Sequence, residues 1–296
     1  MSRSGDYKRL LRTASAVFFL ACGVAIAQQP PGYAAPESCA GCHSAIAQRY
    51  AKTGMGRTFG DMQPALATTV MFMHAASHET ISVVRAGDTW RMERRQTGFD
   101  GAPSNAMSAT MDYWFGSGNH ATSYFSRTSR NELVELPLTW YSEKGGNWAM
   151  SPGYDSAAHT GFSRKVTYRC MFCHNAYPEM PPGADHMDTG TKVPGSLPQG
   201  IDCQRCHGPG LRHVNAAVAG LPAAVLKSLI VNPAHLATER RDEVCFQCHL
   251  ETTSSSLPAY LPVYGRVFSD IPGQPIEQYA RFFDYWLLSR RKPPSA

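Results

Sequence analysis

Several absences narrow this 296-residue sequence before any motif is read. Beyond residue 27 no apolar run is long enough to cross a membrane as a helix. No basic run marks a nucleic-acid surface, so nucleic acid is not an expected partner. No glycine-rich phosphate loop is present. Nothing in the chain supports serine, cysteine or carboxylate catalysis. No sequence unit recurs at a fixed period. The apolar content is also too dilute for a large conventional core: Gly 25, Pro 21 and a mean hydropathy of -0.30 describe a loop-rich chain.

The one apolar run that exists reads as an address. Arg3, Lys8, Arg9 and Arg12 form a basic start, Ala14 to Ala27 is a short apolar stretch, and Ala25-Ile26-Ala27 is an A-x-A cleavage site. Residues 1–27 are therefore expected to be a Sec-type signal peptide, and the mature chain, 28–296, is expected in the periplasm or elsewhere outside the cytoplasm. The leader carries a net three of the formal +5 charge, so the mature chain is close to neutral. A competing lipoprotein reading would lipidate Cys22 after Phe19-Leu20-Ala21 and anchor the chain to the membrane. Phe19 is a poor start to such a signal.

Cysteine leaves almost no remainder. Eight of the nine cysteines fall into four C-x-x-C-H motifs: Cys39/Cys42/His43, Cys170/Cys173/His174, Cys203/Cys206/His207 and Cys245/Cys248/His249. The ninth, Cys22, leaves with the leader. C-x-x-C-H is the attachment site of a c-type haem. Two thiols add across the two vinyl groups, and the adjacent histidine ligates the iron from the proximal side. A disulfide framework would explain paired cysteines in an exported chain, but not a histidine after every pair. Four covalent haems are expected, and they would supply much of the missing core and restrain the unfolded chain.

The motifs divide the chain. Residues 28–38 are a Pro-rich lead-in, and Ser44 to Lys52 reads as a short helix. Residues 66–165 hold no motif and look β-rich. Thr80–Arg85 and Thr89–Arg94 flank a turn at Ala86-Gly87-Asp88. Leu133–Leu136, Thr139–Tyr141 and Asn147–Met150 form a second set around Glu143-Lys144-Gly145-Gly146. Trp90, Trp114, Trp140 and Trp148 all fall here and are read as core. Residues 166–250 carry three motifs, with a Pro- and Gly-rich loop over 178–200 and an interrupted helix over 214–229. In the tail, 251–296, Tyr279, Phe282, Phe283 and Trp286 have helical spacing, so Ile276–Leu288 is expected to be an amphipathic helix. The expected fold is a multihaem cytochrome, mainly α and irregular around four haems, with a β-rich insert between the first and second sites.

Each motif supplies one axial ligand. A second ligand makes a low-spin electron carrier, and an open face makes a site for chemistry. Seven histidines lie outside the motifs: His74, His78, His120, His159, His186, His213 and His235. With so many to serve as iron ligands and no separate cluster at metal spacing, zinc is not expected. His74, in Met71-Phe72-Met73-His74, and His235, in Asn232-Pro233-Ala234-His235, are distal candidates by their settings.

The run Cys206-His207-Gly208-Pro209-Gly210-Leu211-Arg212-His213 resembles the multihaem cytochrome c-552/c-554 family. The resemblance implies that His213, six residues after a haem-binding histidine, is a distal ligand to another haem. The family also tends to place a distal histidine soon after its first site. The corresponding stretch here is Tyr50 to Met55, so Met55 stands in that position, either as a ligand or as a core residue replacing one. A thioether would raise the potential relative to bis-histidine ligation. Gly116-Ser117-Gly118-Asn119-His120 resembles a family element in which glycines bring the backbone close to a haem face, which makes His120 a further candidate. The tetratricopeptide repeats that follow such domains in some relatives are absent, as in a stand-alone version.

Two functions follow. The first is a tetrahaem carrier passing electrons between redox protein donors and acceptors. The second is a multihaem oxidoreductase acting on a small nitrogen or sulfur compound at a five-coordinate or Met-ligated haem.

Overall fold

A computed structural model describes residues 32–176, 190–193, 195–250, 260–262 and 271–282. The expected leader with Cys22, and His186, Phe283 and Trp286, lie outside the described residues. Helices α1 (Pro36–Cys42) and α2 (Ser44–Tyr50) open the described chain. Strands then dominate: β1 (Phe59–Asp61), β2 (Val70–His74), β3 (Glu79–Ala86), β4 (Thr89–Thr97), β5 (Pro103–Thr110), β6 (Tyr113–Phe115), β7 (Ala121–Arg127), β8 (Leu133–Glu135), β9 (Leu138–Tyr141), β10 (Asn147–Met150) and β11 (Arg164–Lys165). Helices α3 (Tyr168–His174), α4 (Gln204–His207), α5 (Leu211–Val218), α6 (Ala223–Ser228) and α7 (Thr238–His249) follow. A small pair, β12 (Tyr260–Pro262) and β13 (Ala280–Phe282), ends the described chain.

β2 to β5 form an antiparallel meander in chain order. β3 alternates strictly: Glu79, Ile81 and Val83 are buried, and the residues between them are less so. That period of two gives the strand one core face. The β3–β4 turn requires φ +63° at Gly87, a conformation that favours glycine. The other large sheet runs β1-β6-β7-β8-β11, with β9 against β7 and β10 against β9.

β7 separates two cores. Tyr124 packs with Ile81, Val83, Trp90, Met92, Leu136 and Leu138 between the sheets. Its neighbour Phe125 faces the other way, with Phe59, Tyr113, Leu133, Tyr168, Met171 and Phe172. Successive strand residues point to opposite faces, so this sheet is a middle layer. The meander covers one side, and α3 covers the other with Cys173 and Cys248 at its edge. The tryptophans belong to the first core: Trp90 is buried, and Trp114, Trp140 and Trp148 pack against it.

Two expectations are corrected. The fold is not mainly α: eleven strands lie between Phe59 and Lys165, and the helices span 4 to 12 residues. Gly208 caps the end of α4 and Gly220 follows the end of α5, whereas the alternating stretch keeps adding strands. The expected helix over 276–288 also differs in its described part. Ile276–Gln278 is a single tight turn, and Ala280–Phe282 pairs with Tyr260–Pro262. Pairing with a distant strand overrides the helical spacing. No helix among the described residues is long and apolar enough to cross a membrane.

Leu138 is fully buried between the sheets. Leu138→Ala should lower unfolding stability by about 3 kcal/mol, measured by denaturant unfolding followed by tryptophan fluorescence.

Candidate haem-attachment sites

Every C-x-x-C-H lies on or at the end of a short helix. Cys39 and Cys42 are on α1, with His43 as the link to α2. Cys170 to His174 are on α3, Cys203 begins α4, which ends at His207, and α7 ends at His249. Residues three and four apart share a helix face. The two thiols and the following imidazole therefore project to one side, as attachment through two thioethers with ligation by the same segment requires. None of the eight motif cysteines is in a disulfide.

Backbone and hydroxyl partners orient three imidazoles. His207 Nδ1 is 2.8 Å from the Val231 carbonyl oxygen, and His213 Nδ1 is 3.0 Å from that of Leu226. A carbonyl only accepts, so the proton sits on Nδ1 and Nε2 keeps its lone pair for a metal. His174 Nδ1 is 2.9 Å from Thr58 Oγ1, and Phe115 covers its ring at 3.9 Å between centroids. Burial, with His249 adding to it, lowers the His174 pKa to about 4. This imidazole is neutral, and so able to ligate, across the physiological range.

The first site adjoins the third, and the second, third and fourth adjoin one another. A hydrogen bond joins the Cys39 and Cys203 thiols, raising the pKa of the former and lowering that of the latter to about 7. The Cys206 thiol is raised by burial and then by its neighbour Cys245. His249 acts on His174.

His213 comes to the first site. Its ring faces that of His43 with centroids 6.5 Å apart and planes 22° from parallel.

The other distal candidates are dispersed. Met55 is 45% exposed, and its carbonyl accepts from the Ile201 backbone at 3.0 Å, beside the approach to Cys203. Gly200 makes that approach feasible: at φ +56° a Cβ there would meet the Gly56 oxygen at 2.2 Å. The His120 ring is 86% exposed and lies 3.8 Å from Glu143. His235 ends a tight turn, Pro233–His235, shortly after the Val231 that holds His207. His78 is in the β2–β3 turn at φ 54°.

His74 belongs to a different group, within the β region. Its Nδ1 is 2.8 Å from Ser77 Oγ, and its ring meets that of His159 edge-on at 5.4 Å. His159 Nε2 lies 3.0 Å from Glu79 Oε2, and Arg94 lies 3.3 Å from Glu79 Oε1. Register sets this up: His74 pairs with Glu79 across the β2–β3 hairpin, and Glu79 pairs with Gln96 on β4. Sequence reading did not find Glu79 and gave Arg94 no weight beyond its nearness in sequence to possible ligands, because the group exists only once three strands align. It also did not single out Thr58, which no motif marks. Among the described residues no group of three or more His, Cys, Asp or Glu is placed to hold a bare metal ion.

No family model matches the chain, and no curated protein matches it. Among solved structures it is similar to the outer cell wall cytochrome OcwA, at 15% identity and a TM-score of 0.49. The match covers 85% of this chain but 45% of that one, so the chain spans less than half of that protein. A TM-score just under one half does not establish a shared fold.

Glu79 is buried against a guanidinium and an imidazole. Glu79→Ala should cost about 3 kcal/mol, because a buried cation would lose its partner. Thermal unfolding monitored by circular dichroism would measure it.

Proposed function

We propose that the chain is an exported tetrahaem c-type cytochrome of the c-552/c-554 kind, which carries electrons between redox protein partners outside the cytoplasm. The observation that carries this reading is the set of four C-x-x-C-H motifs on adjoining helices, none of whose cysteines is in a disulfide. Cys39/Cys42, Cys170/Cys173, Cys203/Cys206 and Cys245/Cys248 would hold the groups, and His43, His174, His207 and His249 would ligate from the proximal side. When bound, c-type haems supply one-electron redox chemistry at potentials set by ligation, burial and hydrogen bonding. The chain holds the imidazoles in a ligating state: Val231 and Leu226 fix the tautomers of His207 and His213, and burial keeps His174 neutral. His213, whose ring stands near that of His43, would serve as the second ligand at the first site. Cofactors held at the adjoining motifs would be close neighbours, which would suit transfer without a conformational change. Export is supported by the basic start, the apolar run and Ala25-Ile26-Ala27.

Low-temperature EPR of the ferric protein tests this reading. The expected spectrum is low-spin throughout, and His213→Ala should convert one iron to high spin while four haems remain attached. A wild-type high-spin iron that shifts on adding nitrite, hydroxylamine or cyanide would instead favour the oxidoreductase reading.

A further inference from the structure

The residues between the cysteines of the third motif, Gln204 and Arg205, are both 1% exposed. Gln204 reaches the first site: its Oε1 accepts from the Ala34 backbone at 2.8 Å, and its Nε2 donates to the Ala34 carbonyl at 2.8 Å, just ahead of α1. Arg205 reaches the other two. Its guanidinium lies 4.5 Å from the ring centroid of Phe172, which stands between Cys170 and Cys173. Its Nη2 is 3.4 Å from the carbonyl of Asn175, next to His174. Its own carbonyl accepts at 3.0 Å from Gln247, which stands between Cys245 and Cys248. Phe172, Arg205 and Gln247 all hold the second intervening position of their motifs, and they interlock.

Burying a guanidinium is costly. Held among motifs two, three and four, with Asp202 as a carboxyl neighbour that burial pushes towards its neutral form, its charge acts in a medium where charges are poorly screened. A fixed positive charge favours the form of a neighbouring redox centre that carries the extra electron. Resting on the proposed function, we infer that Arg205 is a positioning residue and a built-in positive charge that raises the reduction potentials of the centres at the second, third and fourth sites.

The test is a spectroelectrochemical titration of the holoprotein, with haem counted by pyridine haemochrome. Arg205→Gln should lower the midpoints of several centres while the low-spin EPR signals persist, and Arg205→Lys should stay near wild type. Should Arg205→Gln fail to load four haems, Arg205→Met, which keeps much of the side chain's length and apolar packing without its charge, must lower the same midpoints. Two results overturn the inference: midpoints that ignore these changes in a fully loaded protein, or Arg205→Lys falling as far as Arg205→Gln. A wild type without haem would instead contradict the proposed function itself.

Discussion

The buried contacts of Gln204 and Arg205 are the interaction on which the arrangement of the attachment helices depends. α4 is a single turn and could not hold its place by helix packing alone. Its amide clamps the backbone before α1, while its guanidinium and carbonyl join α3 and α7. The third motif thereby fixes its place relative to the other three.

The middle sheet gives that arrangement a wall. β7 presents Tyr124 to the core shared with the meander and Phe125 to the core beneath α3. The second face also supplies Phe115 and Thr58, which cover and hydrogen-bond His174. The β region therefore shapes the surroundings of the second site. Its own charged group, Glu79 with Arg94 and His159, sits at the far end of the meander core and draws in His74.

The motifs were legible because covalent chemistry demands two thiols at fixed spacing and an imidazole next to them. The hairpin around Gly87 was legible because turn geometry demands particular residues. What depends on distant pairing was not. His74 reads as a ligand candidate in its own segment, but the β2–β3 register places it beside Glu79. Tyr279 and Phe282 keep helical spacing, yet Ala280–Phe282 joins a strand some 20 residues earlier. Arg205 carries no local signal, since the intervening positions of C-x-x-C-H tolerate many residues, and its role arises from three helices meeting.

The central claim is that all four motifs are attachment sites. Its most direct test is the haem count of the purified protein, from intact mass under denaturing conditions together with the pyridine haemochrome spectrum. The account predicts four covalently bound haems per chain. A chain that emerges without haem, its cysteines paired as disulfides or binding zinc, would contradict it.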